Sequence, residues 1–245
     1  SEPGKTMGLA GYGKPVHNFD LIRLSQTGYK MELNISTPQG ELDQQKDITE
    51  AWLEYLQKKF GDPNKPHYSY SPFHGKLEKN VSLEQTQMDI AASAQQSLEM
   101  VVLHLVTRLR HVTGSDNLCI AGGVGLNCSM NGRIIRERLV DNVFIPPFAS
   151  DAGVSAGAAI YLSDDKPHKK LDHAYLGPDF SDIQIQAILK SLGVNFRHFD
   201  DISDITAKLI SQGNVVSWFQ GRMEVGPRAL GNRSILADPT SADSH

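Results

Sequence analysis

Three clusters in the chain combine residue types and spacing that could do chemistry. A glycine pair, Gly122-Gly123, stands just ahead of Asn127 in the run AGGVGLNCSMNGR. Adjacent glycines allow positive φ and bring backbone N–H groups against a ligand with no Cβ in the way. A glycine turn that feeds a helix N-terminus also offers unpaired N–H groups and a favourable dipole to an anion. The second cluster is Asp151, in the turn SDAG ahead of the small-residue run VSAGAA. A carboxylate just beyond a strand lies where open α/β sheets bind ligands. Together with Asn127 it points to a nucleotide or metal site, the alternative being a helix cap. The third cluster is Arg222, Arg228 and Arg233 among the glycines of GRMEVGPRALGNRSILADP. Guanidinium groups on such a turn suit bidentate recognition of phosphate or carboxylate, the alternative being a solvated loop or internal pairing with Glu224 and Asp238.

These residues need elements to position them. The apolar run 118–121 ending at the glycine pair reads as a buried strand, and residues 129–140 as a helix with Ile134, Ile135 and Leu139 on one side. The unit repeats with a strand at 143–145, a turn at 150–153 and a helix at 154–161 whose small residues let it lie close to a sheet. Upstream, GKTMGLAGYGKP at 4–15 reads as a loop without the spaced pattern of a phosphate loop. Alternation at 19–24 and 29–33 predicts a hairpin about residues 25–28. Ile48, Ala51, Trp52, Tyr55 and Leu56 predict a helix over 48–60, ended by Gly61. Residues 65–79 form a polar loop whose His67 and His74 are read as surface residues. Ser82 with Gln85 suggests a capping box opening the longest helix, with Leu98, Val101, Val102, Leu105, Leu109 and Val112 on one face and Gly114 at its end. His104 is read as structural. After a charged stretch at 163–172, a strand is expected at 174–177, followed by a helix capped by Ser181 and Gln184. That helix would bury Ile183, Ala187, Ile188 and Leu192. Strands at 196–199 and 215–219 would flank a helix over 203–212.

The chain has 245 residues and a net charge of −4 with both signs dispersed. It is long enough for a substantial core and carries no basic footprint for nucleic acid. Its two cysteines, Cys119 and Cys128, are too few for a disulfide framework and are read as reduced structural thiols, Cys119 in a buried strand. No apolar run approaches the ~20 residues that span a bilayer, so a membrane partner is not expected and the chain is read as cytoplasmic. It begins without Met and is bracketed by glycine motifs, so it is read as cut from something longer.

AGGVGLNCSMNGR followed by PPFASDAGVSAGAA resembles the O-carbamoyltransferases of the nodulation and antibiotic-biosynthesis type, and GKTMGLAGYGKP and GRMEVGPRALGNRSILADP extend the resemblance over nearly the whole chain. It implies an α/β protein. Residues 1–164 would be the later part of an actin-like ATPase (ASKHA) domain, with a mixed sheet and flanking helices. Residues 165–172 would be a linker, and 173–245 the beginning of a YrdC-like α/β domain. It further implies that Gly8, Gly11, Gly13, Gly122 and Gly123 line an adenine-nucleotide site with Asn127 bonded to the nucleotide. Asp151 would be one ligand of a divalent metal, iron, whose paired histidines precede Ser1. Arg228 and Arg233, supported by Arg222, would bind the phosphate of carbamoyl phosphate or ATP. The implied reaction joins carbamoyl phosphate and ATP in a carbamoyl adenylate, which a hydroxyl of a small-molecule acceptor then attacks. The chain by itself is expected to be inactive. Two rivals share part of the pattern. A tRNA threonylcarbamoyl transferase has the glycine turn, Asn127 and Asp151 but is not expected to carry the arginine motif. A non-catalytic actin-like nucleotide-binding module is the other.

Overall fold

The computed structural model describes residues 3–32, 41–62, 84–164 and 171–240. The chain divides into two compact units, residues 1–118 with 127–143, and residues 119–126 with 144–245. The architecture is α/β. The strands of the described residues pair two by two into three two-stranded sheets, none of them the mixed sheet expected.

The first unit is assembled on a 29-residue helix, α3 (Gln85–Thr113). Its capping box joins Glu84 and Gln87. Gln85 bonds the Asp89 carboxylate at 2.8 Å, and Ser82 of the expected box lies outside the described residues. The other end closes as expected, with Gly114 left-handed at φ 65° and its N–H on the Arg110 carbonyl. Along α3 the deepest burial falls at Ala91, Ala92 and Ser93 and at Val101, Leu103 and Val106, whereas Leu109 and Val112 of the expected stripe are half-exposed or more.

The small residues of α3 mark where the chain's first helix approaches. α1 (Pro3–Ala10) occupies part of the stretch that reads as a loop. Pro3 is compatible with a first helical turn, and packing on α3 overrides the low propensity of the glycines. After α1 the chain runs against α3's backbone. A Cβ at Gly13 would sit 2.0 Å from the Met88 carbonyl oxygen, so only glycine fits without movement. Two bonds pin the next residues. The Lys14 N–H donates to Asp89 Oδ1 at 2.7 Å and the His17 N–H to Ser93 Oγ at 3.0 Å. The first of these, then Gln85, holds the Asp89 carboxyl below the ordinary carboxylate range.

The hairpin forms as expected, β1 (Ile22–Ser25) antiparallel to β2 (Gly28–Met31) with Ser25 opposite Gly28. His104 of α3 meets the Ser25 carbonyl at 2.9 Å and Arg108, one turn on, donates to the Gln26 carbonyl. His104 is thus a clamp on the hairpin turn. α2 (Glu41–Phe60) starts seven residues earlier than the apolar spacing suggests, and its Phe60 ring packs against His17 and Phe19 at 5.0 and 6.0 Å. A cavity of about 510 Å³ lies among these elements, walled by Leu9, Ile22, Trp52, Leu56, Leu98 and Val101 among others. His67, His74 and the 65–79 stretch lie outside the described residues.

β3 (Asn117–Cys119) pairs with β4 (Asn142–Phe144), and α4 (Cys128–Arg136) connects them. Bonds from Asn142 N–H to the Asp116 carbonyl and from Ile120 N–H to the Phe144 carbonyl ascend together, as in a parallel pair. Ile134 of α4 is fully buried, but Ile135 is 59% exposed because neighbouring helix positions point about 100° apart. Cys119 is exposed, since β3 buries one side only, at Leu118.

In the second unit a 3-10 turn, Asp151–Gly153, leads into α5 (Val154–Leu162). Contrary to expectation, Val154, Tyr161 and Leu162 are more than two-thirds exposed, so α5 does not lie on a sheet. α6 (Asp182–Ser191) has the expected Ser181–Gln184 capping box, yet its apolar stripe faces outward and Ile183 is 80% exposed. α7 (Ile202–Ser211) precedes β5 (Val216–Phe219), which pairs antiparallel with β6 (Arg233–Leu236). Residues 196–199 form no strand, and Phe196 and Phe199 stay partly exposed. Residues 174–177 are not a strand either. They run beside 223–225 through bonds from Val225 N–H to the Ala174 carbonyl and from Gly177 N–H to the Met223 carbonyl. No helix among the described residues is long and apolar enough to cross a membrane.

The two glycines in and after α1 should respond oppositely to alanine. Gly13→Ala should destabilise the chain by about 1–3 kcal/mol through overpacking on α3. Gly8→Ala, in open helical space, should stabilise it by up to about 1 kcal/mol. Urea denaturation of both variants checks this, and an unperturbed Gly13→Ala would show that the contact with Met88 does not set the packing of α1 on α3.

Candidate functional site

In the second unit the glycine turn, the stretch ahead of Asp151 and the arginine motif adjoin. Gly122 has φ +95°, which favours glycine, and its N–H donates to the Ala149 carbonyl at 2.6 Å. No heavy atom lies within 4 Å of where a Cβ would stand at Gly122 or Gly123, so the backbone there faces open space. Gly125 serves packing instead, since a Cβ there would meet Ile120 and Ala149 at 3.2 and 3.3 Å. The next residue, Leu126, receives a hydrogen bond at 3.1 Å on its carbonyl from Nη2 of Arg228. Gly226, at φ +95°, comes so close to Pro147 that a Cβ would fall 2.0 Å from that carbonyl oxygen.

The arginine motif is a long hairpin connection between β5 and β6, in register from Phe219 opposite Arg233. Its centre is Glu224, whose side chain has no solvent exposure. Oε1 accepts from the N–H groups of Leu230, Asn232 and Arg233 at 2.7, 2.8 and 3.3 Å. Oε2 lies 3.2 Å from Arg233 Nε, a charge contact whose angles fall short of a hydrogen bond. Burial pushes the Glu224 carboxyl up. Backbone donors from Leu230, Glu224 itself, Asn232 and Arg233 outweigh burial and pull it down to about 2. Arg233 also donates through Nη2 to the carbonyls of Gly226 and Arg228. Arg222 reaches the Gly177 carbonyl at 2.9 Å and the Leu176 carbonyl at 3.3 Å. Internal pairing between Arg233 and Glu224 is therefore present. Asp238 bonds Thr240 instead.

The other expected site residues behave differently. Asn127, in the first unit, caps α4 by accepting from the Met130 N–H at 3.0 Å and exchanges two amide bonds with Gln95 of α3, at 2.8 and 3.0 Å. Gly8 borders open space, Gly11 touches the Gly8 carbonyl, and Gly13 is held for packing on α3. Asp151 is exposed at the head of its 3-10 turn. Among the described residues no three His, Cys, Asp or Glu side chains come together to hold a metal. Asp151 and the other described residues do not by themselves make up a metal centre. Sequence reading reached Glu224 only as a possible ion-pair partner. What it lacked was β6, which folds the loop's N–H groups back onto that carboxylate.

The carbamoyltransferase N-terminus family model matches residues 1–160 and the carbamoyltransferase C-terminus model matches residues 207–245. The chain belongs to the carbamoyltransferase family. Both the glycine turn with Asp151 and the arginine hairpin fall inside these matched regions. Relatives of this carbamoyltransferase chain include the uncharacterized protein sll1178 of Synechocystis sp., 38% identical over 96% of the chain and 38% of the relative. Nodulation protein NolO of Bradyrhizobium diazoefficiens is 34% identical over 98% of the chain and 40% of its own length. Nodulation protein NolNO of Sinorhizobium fredii is 34% identical over 97% and 32%. The chain thus spans about two-fifths or less of the length of these curated relatives.

A depressed carboxyl stabilises the fold above its ordinary value and ceases to do so as it is protonated. The contribution of Glu224 should be complete above pH 4.5 and should fade as pH falls toward about 2. Melting temperatures of the wild type and Glu224→Gln, recorded between about pH 6 and pH 2, should differ most at the upper end and converge at the lower. A gap that stays constant with pH would mean that the Glu224 charge does not matter to stability.

Proposed function

We propose that the chain is part of an ATP-dependent O-carbamoyltransferase built from an actin-like ATPase region and a YrdC-like region. Carbamoyl phosphate and water give carbamate and phosphate, and carbamate attacks the α-phosphorus of ATP to give carbamoyl adenylate and pyrophosphate. A hydroxyl oxygen of a small-molecule acceptor then attacks the carbamoyl carbon and AMP leaves. The observation carrying this reading is the meeting of two family-matched motifs in one unit, where Arg228 bonds Leu126 beside the open Gly122-Gly123 backbone. The match over residues 207–245 favours this reading over a tRNA threonylcarbamoyl transferase, for which no arginine motif is expected.

In this reading the open glycine backbone is the floor of the adenine-nucleotide site. Asn127, whose amide keeps one hydrogen beyond its bond to Gln95, is the proposed hydrogen-bond donor to the nucleotide. The arginine hairpin presents positive charge to the phosphate of carbamoyl phosphate. Asp151 would give one carboxylate to a divalent metal, but the described residues do not complete such a centre and no step is routed through one. The partners are ATP, carbamoyl phosphate and the hydroxyl acceptor.

Gly123 allows a clean test, because a side chain there meets nothing in the fold. Gly123→Val should leave the melting temperature within a degree or two of wild type, yet lower the affinity of the complete protein for an ATP analogue at least about tenfold by blocking close approach. Calorimetric titration of both proteins checks this. Equal affinities would remove the glycine turn from the nucleotide site.

A further inference from the structure

The three arginines of the hairpin are not equivalent. Arg233 faces inward, with Nε on the Glu224 carboxylate and Nη2 on two backbone carbonyls of its own loop. Arg222 spends Nε and Nη2 on the carbonyls of Gly177 and Leu176. Arg228 is the exception. Of the five N–H donors of its guanidinium, one is bonded, to Leu126, among the described residues. Its backbone carbonyl is a partner of Arg233, and the loop that follows is anchored on Glu224 through Leu230, Asn232 and Arg233.

We propose that Glu224 and Arg233 are positioning residues which hold the hairpin loop so that Arg228 alone presents its guanidinium to a phosphate-bearing ligand. This rests on the carbamoyl-transfer reading for the identity of that ligand and narrows it, since Arg233 and Arg222 are each tied to two backbone carbonyls and Arg228 to one. The physical argument is one of satisfaction. To take an external anion, Arg233 would have to break its bonds to the Gly226 and Arg228 carbonyls and leave Glu224 Oε2 without its charge contact. Arg228, with four of its five donors unbonded among the described residues against three for Arg222, has the least to break. The loop is fixed at both shoulders, by the near-contact of Gly226 with Pro147 and by the Glu224 cradle. Arg228 therefore springs from a backbone that has little freedom to lose on binding.

The test uses inorganic phosphate as the probe, titrated by 31P NMR, together with amide hydrogen exchange at Leu230, Asn232 and Arg233. Arg228→Ala should weaken phosphate binding about tenfold or more with the three amides still protected. Glu224→Ala should both deprotect the amides and weaken binding, and Glu224→Gln, which keeps an acceptor oxygen at the same reach, should recover part of each. If Glu224→Ala does not fold, Glu224→Gln and Arg233→Lys carry the same comparison, each expected to deprotect the amides and lower affinity less than Arg228→Ala. Wild-type affinity in Arg228→Ala overturns the assignment of Arg228. Deprotected amides with unchanged affinity in the Glu224 variants would make the cradle a feature of the fold only and overturn the positioning role. A wild type that binds no phosphate overturns the anion site itself, and with it the carbamoyl-phosphate arm of the proposed function. The two failures are thus distinguished by whether the wild type or only the variants misbehave.

Discussion

A carboxylate with no access to water must have its charge answered from within the protein. Glu224 imposes that condition on the chain between β5 and β6. Its Oε1 needs N–H donors, and the loop supplies three of them by folding residues 230–233 back toward the strand it left. The fold-back sets the register of β6, which starts at Arg233, the residue that also brings a guanidinium to Oε2. Gly221, Gly226 and Gly231 take positive φ around the same loop, as a tight wrap about a small anion requires. Arg233 is thus part of the folding around a buried negative charge, whereas Arg222 and Arg228 bond backbone carbonyls elsewhere.

The first unit rests on a different constraint, close approach. α3 offers Ala91, Ala92 and Ser93 where the chain after α1 crosses it, and Gly13 removes the last obstacle at Met88. Short side chains let two backbones come near enough for Asp89 and Ser93 to take N–H groups from residues 14 and 17. The same helix reaches the β1–β2 turn with His104 and Arg108 and the start of α4 with Gln95. A single long helix thus fixes the hairpin, α1 and the cap of α4.

Local chemistry was readable where it is self-contained. The left-handed Gly114, the Ser181–Gln184 box and the β1–β2 hairpin each depend on a few neighbouring residues, and each forms as their types indicate. α1 was not readable, because its glycines argue against a helix and the packing that overrides them comes from residues eighty positions away. The stripe on α6 obeys helical spacing and still faces outward, since periodicity tells which residues share a face and not whether anything covers it. Of the candidate site, the glycine turn and the arginines could be found by type and spacing. Glu224 could not, because the groups that recognise it are backbone N–H groups, which every residue but proline carries.

The membership of the chain in the carbamoyltransferase family rests on matches at both of its ends, and these include the two motifs that the fold brings together. On the proposed function, this junction serves the activation of a carbamoyl group by ATP. Exchange of labelled pyrophosphate into ATP by the complete protein measures that step alone, without an acceptor. Exchange should require carbamoyl phosphate and should fall by about tenfold or more in Arg228→Ala. Exchange that proceeds equally without carbamoyl phosphate, or that is indifferent to Arg228, would contradict that function.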